Sequence, residues 1–193
     1  WDYDGYIQLN DLGKIKTLVA GDYQATYGYG LVVGSPFKRG KTAYIQSTAT
    51  TDEGLKKLSS IGDGYNGFHG IGMMASMGKK ANISTFYSLQ NEKNNSWNHV
   101  VGVNVTSKWK KIKVGVTAIE NISKPTQAHV ENDIKNEPQS EKRETNTQAL
   151  IGANARYNYG KIDLWGEVAV SQGTKSGIAG ITGMRYTPVS DVN

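Results

Sequence analysis

The stretch Gly34-Ser35-Pro36-Phe37-Lys38-Arg39-Gly40-Lys41-Thr42 has the glycines, lysine and hydroxyl of a phosphate-binding loop and follows an apolar run. That motif needs four residues between its glycines, and here there are five. A helix N-terminus should follow to face the phosphate, but Ala43-Tyr44-Ile45-Gln46-Ser47-Thr48 reads as a strand. Nucleotide binding is therefore not expected. His69, His99 and His129 are far apart and lack companions at metal-ligand spacing. His69 reads as a sheet or lumen residue and His129 as solvated. A Ser-His-acid hydrolase on a barrel's outer rim is conceivable chemistry, yet no serine has a local signature of activation. The neighbouring carboxylates Asp52-Glu53 read as solvated loop residues. No catalytic, cofactor-binding or metal-binding residue is assigned, and a non-enzymatic protein without cofactor is expected.

Composition narrows the classes further. The 193 residues include no cysteine, which excludes disulfide scaffolds, thiol catalysis and cysteine zinc sites. No apolar run approaches the roughly 18 residues of a spanning helix. The opening Trp1-Asp2-Tyr3-Asp4 lacks the basic start and apolar block of a secretory signal, so the sequence is expected to start at a processed or truncated end. Lys and Arg exceed Asp and Glu by 22 to 17, a net charge of +5. These charges are interspersed. The densest cluster, Lys108-Trp109-Lys110-Lys111-Ile112-Lys113, reads as a turn with charged flanks, without a recognition helix or stacking platform. Nucleic acid is therefore not an expected partner of this segment.

Alternation dominates the chain. From Ile15 to Val33 the odd positions are mostly apolar or aromatic and the even ones small, polar or charged. Period-two patterning sends the two sets to opposite faces of a sheet. The run is long for one strand, and Gly21 or Gly28 could break it. Similar alternation marks Ala81–Leu89, Val101–Thr106, Ile112–Ala118, Ile151–Tyr159 and Ile162–Val170. Further strands are expected near Tyr3–Asn10, Thr42–Thr48, Tyr65–Met77 and Gly177–Tyr186. Short polar connectors at 10–14, 78–80, 108–111 and 159–161 read as hairpin turns. Thr50–Gly64 and Asn91–Asn98 read as longer connections. Residues 121–146, with Pro125, Pro138 and a mixed charge run, read as one long polar loop.

Short turns alternating with long loops fit a transmembrane β-barrel. In lipid every backbone N–H and C=O must be paired within the protein, which a closed barrel achieves without free edges. The expected fold is all-β: an antiparallel transmembrane β-barrel of about 8 to 10 strands forming a single region over residues 1–193. Its lumen-facing residues are expected to be Lys16, Asp22, Gln24, Asn104, Arg156, Asp163 and Glu167. Tyr27, Tyr29, Tyr157 and Tyr159 are expected as interfacial aromatics, since a tyrosine ring is apolar and its hydroxyl seeks water. The odd residues from Ile15 to Val33 are expected to face lipid. The alternative is a soluble β-barrel or sandwich binding module, which turns the same apolar face into a core.

One segment carries a family resemblance. Lys14-Ile15-Lys16-Thr17-Leu18-Val19-Ala20-Gly21-Asp22-Tyr23-Gln24, then Tyr27-Gly28-Tyr29-Gly30-Leu31 and Gly40-Lys41, resembles a "GDYQ…FGQGL…G…GK" block. That block belongs to the Bacteroidota helix-hairpin-helix (ComEA-like) domain-containing proteins, in the region of their outer-membrane β-barrel. Thr50-Thr51-Asp52-Glu53, Gly67-Phe68-His69-Gly70, Ala81–Ser88 and Met184-Arg185-Tyr186-Thr187-Pro188 resemble later stretches of the same family. Tyr27 stands for the usual Phe, Tyr29 for Gln and His69 for Arg. The resemblance implies the bacterial outer membrane, with membrane lipid as a partner. It also implies a part of a larger barrel, closed by further strands or by other envelope proteins. The function expected is a pore or a membrane-embedded subunit of an envelope complex. The helix-hairpin-helix segment is absent from these residues, so its DNA association is not carried over; a component of DNA uptake stays the weaker alternative.

Overall fold

A computed structural model describes residues 5–34, 53–57, 67–92, 96–125, 146–173 and 176–188. Among them are ten strands and no helix. In chain order they are β1 (Tyr6–Leu12), β2 (Ile15–Thr26), β3 (Gly54–Lys57), β4 (Phe68–Met77) and β5 (Ala81–Glu92), followed by β6 (Ser96–Trp109), β7 (Ile112–Pro125), β8 (Asn146–Tyr159), β9 (Ile162–Gln172) and β10 (Gly177–Tyr186). All belong to one antiparallel sheet in the order β1-β2-β4-β5-β6-β7-β8-β9-β10, with β3 pairing β2 off this path. The sheet is open: among the described residues β1 and β10 each have a single neighbour, so the expected closed barrel is replaced by a continuous wall with two free edges.

The strands outrun their apolar patterns. β6, β7 and β8 have 14 residues each, against a usual five or six. The polar residues Asn121 to Pro125 were expected in a loop. They pair instead with Val100 to Ser96. Backbone pairing needs only facing N–H and C=O groups, so it continues where side-chain alternation fades.

Four short turns lie at one end of the meander: Gly13-Lys14, Gly78-Lys79-Lys80, Lys110-Lys111 and Gly160-Lys161. Tight hairpins need residues with positive φ. Gly13, Gly78 and Gly160 supply it at 65°, 76° and 58°, whereas the β6–β7 turn uses Lys110 at 43°.

Directly opposed residues of neighbouring strands share a face. One such row runs Ser84, Asn104, Thr117, Gly152, Ala169. It lies on the face we call inner, where Ser84, Asn104 and Thr117 are buried. One residue over, the outer row runs Leu18, Met73, Thr85, Val103, Ala118, Ile151, Val170, Ile178. Its larger members, like those of flanking outer rows, are open: Val103, Val116, Ile151 and Val168 are 38% to 60% exposed. In these rows polar and small residues lie inside and mostly aliphatic ones outside.

β2 departs from the expectation. Its odd residues Val19, Tyr23 and Ala25, expected to face lipid, are buried on the inner face. Lys16, Leu18, Ala20 and Asp22 take the opposite face. Two causes act together. The outer side of β2 has its own apolar residues, Leu18 and Ala20, flanked by Leu9 and Met73 and by Ile7 and Ile71. The tyrosine hydroxyl finds its partners indoors: Tyr23 donates to the carbonyls of Tyr87 at 2.9 Å and Ile71 at 3.2 Å. Beyond Tyr23, β2 no longer pairs β4 and is joined by β3. Ala25, Thr26, Tyr27, Gly28 and Tyr29 are buried in succession, so both sides of the chain are covered there.

Two inner aromatics lie flat over glycines on the next strand. Phe86 opposes Gly102 and Trp165 opposes Gly183. A Cβ on Gly102 would sit 2.0 Å from Phe86 Cζ, and one on Gly183 2.1 Å from Trp165 Cζ2. Such pairs let a large ring cover an unprotected stretch of backbone. Gly102→Val must expel the Phe86 ring from its seat. It is expected to cost about 1–3 kcal/mol through overpacking, read as a lower urea midpoint; an unchanged midpoint would show that the ring is not seated there.

Candidate functional site

The inner face is filled by the chain's own residues. After Thr26, Gly28 (φ 60°) and Gly30 (φ 88°) turn the backbone in the left-handed region, which glycine adopts without penalty. The Tyr27 N–H closes the turn on the Val33 carbonyl at 3.1 Å. The segment then meets β8 and β9. The N–H groups of Tyr29 and Leu31 both donate to Glu167 Oε2, at 2.6 and 3.2 Å. The Tyr29 ring stacks on Trp165 with centroids 4.7 Å apart, and Tyr27 stacks on Phe86 at 6.1 Å. A Cβ on Gly28 would lie 2.8 Å from Glu167 Oε1 and 2.9 Å from Asn154 Nδ2; one on Gly152 would lie 2.5 Å from Val32 Cγ2. Glycine at both places lets the segment lie directly against the wall. Residues 27–34 thus form a plug that bridges β5 to β9, latched by one carboxylate. Burial pushes the hydroxyls of Tyr27 and Tyr29 up to about 12, so both rings are neutral near pH 7.

Two acidic side chains of the inner layer, Asp163 and Glu53, are in ion pairs. The Arg156 guanidinium grips Asp163 as a fork, Nε to Oδ1 at 2.8 Å and Nη2 to Oδ2. Arg185 Nη2 donates to the same Oδ2 at 3.0 Å. Lys113 on β7 pairs with Glu53, just before β3, and so ties the wall to the inner layer. Asn104 Nδ2 donates to Thr117 Oγ1 at 2.9 Å and to the Val116 carbonyl at 3.2 Å. Asp163→Ala strands two guanidinium groups. The expected cost is about 2–3 kcal/mol, less than a fully buried pair because both arginines keep some access to water. Unfolding by urea checks this, and an unchanged stability would show that the network contributes nothing net.

Four expected lumen residues, Asn104, Arg156, Asp163 and Glu167, do share the inner face. Three do not. Lys16 is exposed on the other side, at a register shift between Ile15 and Thr17. Asp22 is outside, where Oδ1 meets His69 Nδ1 at 2.7 Å and Oδ2 accepts the Gly5 N–H at 2.9 Å. Gln24 points to that same side of β2, half-buried beside β3. Their position follows from the reversed sense of β2. Of the four expected interfacial tyrosines, Tyr27 and Tyr29 are buried in the plug, while Tyr157 and Tyr159 are exposed outside and stack at 6.2 Å. Not singled out as site residues from the sequence were Arg185, Trp165, and the outer aromatics Trp97, Trp109, Tyr87 and Tyr186. Their signal was positional: Trp97 and Trp109 bracket Val101, Val103 and Val105 on one face of one strand.

Among the described residues, Ser88 and His69 do not bring a hydroxyl and an imidazole together. The Ser88 hydroxyl is buried on the inner face, and the His69 ring is outside with Asp22. His99 Nδ1 contacts the Tyr87 hydroxyl at 2.9 Å. Among the described residues no three His, Asp or Glu side chains gather as metal ligands. His129, Asp52 and the phosphate-loop candidate after Gly34 lie outside the described residues. No known protein family, curated protein or solved structure matches the chain.

Proposed function

We propose that the chain is the membrane-spanning wall of an outer-membrane β-barrel protein, plugged from within, and that it serves as a membrane-embedded subunit rather than an enzyme. One observation carries this reading: an exposed aliphatic belt on the outer face, bounded by aromatics at both ends. On β6 the exposed Trp97 and Trp109 flank Val101, Val103 and Val105, with His99 and Ser107 between on the same face and Glu120 opposite Val101. The two tryptophans are twelve residues apart, roughly 40 Å of strand. At a barrel strand's tilt of about 40° that spans about 30 Å, the depth of a bilayer's hydrocarbon. Tyr157, Tyr159 and Tyr186 extend the girdle beside Trp109, while Tyr87 stands opposite Val101. A soluble sandwich would need a second layer over Val103, Val116, Ile151 and Val168; they are open instead. The Lys14–Lys41 resemblance to outer-membrane barrels points the same way.

A free strand edge cannot stand in hydrocarbon. The edges at β1 and β10 therefore need closure, by further strands of a longer chain or by a partner in the envelope. A filled inner face favours a scaffold or gated passage over an open pore. Refolding into phosphatidylcholine vesicles, together with the strands or partner that close the sheet, tests the reading. Protease-protected strands and heat-modifiable mobility are expected. A stable, detergent-free soluble monomer would exclude it.

A further inference from the structure

The four short turns consist of glycine and lysine alone. Hydrogen bonds tie each to the next strand: Ser76 N–H to Lys14 O, Lys108 N–H to Lys80 O, Asn158 N–H to Lys111 O and Thr187 N–H to Lys161 O. They therefore form one continuous rim. Among the described residues none of the turn lysines is in an ion pair; Lys111 Nζ lies 4.0 Å over the Tyr159 ring. The carboxylates described at this end are Asp11, Asp163 and Glu53; Asp163 is held by two arginines and Glu53 by Lys113. Directly above the lysines stands the lower aromatic row. Between them lies a shallow groove of about 380 Å³, lined by Lys80, Trp109, Lys110, Lys111, Ile112 and Tyr157.

We propose that this rim is a binding surface for anionic phospholipid, taking the headgroup phosphate at Lys80, Lys110 and Lys111 and the first acyl carbons against Trp109, Ile112 and Tyr157. The inference rests on the membrane reading above and adds to it which lipid the short-turn leaflet must supply. Charge and chemistry fit in depth order. Ammonium groups sit at headgroup level, amphipathic rings sit at the interface, and aliphatic side chains begin below. A zwitterionic headgroup offers its phosphate with a compensating cation. An anionic one offers it uncompensated, so lysines near the surface select it electrostatically.

The test uses the closed assembly, this chain with the strands or partner that complete its sheet, reconstituted into vesicles of phosphatidylcholine alone and of phosphatidylcholine with about a quarter phosphatidylglycerol. Spin-labelled lipids report which headgroup is retained at the protein. Phosphatidylglycerol is expected to be enriched at low salt, and less so at high salt. The triple variant K80Q/K110Q/K111Q is expected to lose at least about tenfold of that preference, given roughly fivefold per lysine, while still inserting into phosphatidylcholine. Insertion with equal retention of both lipids, or a preference that survives the triple variant, overturns the inference and leaves the membrane reading intact. Failure to insert into either vesicle overturns the membrane reading itself. Lysine-dependent binding of duplex DNA in phosphatidylcholine vesicles, without lipid preference, would reassign the rim to nucleic acid and overturn the inference.

Discussion

Val103→Arg is expected to lower the folded population in phosphatidylcholine vesicles by roughly 30- to 900-fold, the equivalent of about 2–4 kcal/mol for a cation at the bilayer midplane. Val103 is near the middle of β6, on the outer face, between Thr85 and Ala118. Depth should grade the effect. Ser107→Arg, on the same face four residues nearer the short turns, is expected to cost only about 0–1 kcal/mol. A water-facing wall behaves otherwise: exposed substitutions away from special features stay within about 0.5 kcal/mol, and an added arginine improves solubility. Urea titration of refolded vesicles measures both variants. Equal, negligible costs at the two positions would mean that no hydrocarbon lies against this face.

Glu167→Ala is expected to release the plug. It removes the shared acceptor of the Tyr29 and Leu31 N–H groups, and each buried donor left unsatisfied costs about 1–3 kcal/mol. A combined loss of about 2–4 kcal/mol moves the seated-to-released equilibrium roughly 30- to 900-fold. Amide exchange over residues 27–34 should accelerate accordingly, with the strands β6 to β9 unaffected. Planar-bilayer recordings on the closed assembly should show openings absent from the parent protein. Glu167→Gln should fall between, because an amide oxygen still accepts but without the charge that strengthens both bonds. Unchanged exchange in Glu167→Ala would mean that aromatic stacking on Trp165 and Phe86, rather than the carboxylate, holds the segment.

The strands were legible where one face of the alternation was unmistakable. β9 puts Ile162, Leu164, Val168 and Val170 against Asp163, Trp165, Glu167 and Ala169, and the structure sorts them to outer and inner faces in that grouping. β2 could not be oriented the same way. Leu18 and Ala20 are apolar on one side and Val19, Tyr23 and Ala25 on the other, and tyrosine is at home either in a girdle or over a network of carbonyls. The plug was hidden by its own periodicity: Tyr27-Gly28-Tyr29-Gly30 keeps a period of two while its glycines, at left-handed φ, end the strand. The inner network was half legible. Arg156 and Asp163 are seven residues apart across the Gly160-Lys161 hairpin and face each other once that turn is placed. Arg185 and Glu53 reach the same face through tertiary registers that no local pattern encodes.

The absence of cysteine allows single cysteines to be placed without background. The most direct measurement is a nitroxide scan of residues 101 and 103–106 of β6 in vesicles, reading collisions with oxygen, which partitions into hydrocarbon, and with a water-soluble nickel chelate. Val101, Val103 and Val105 on the outer face should show high oxygen and low nickel accessibility, with Asn104 and Thr106 low for oxygen. High nickel accessibility at the three valines, or uniformly low values for both quenchers there, would contradict a wall that faces lipid.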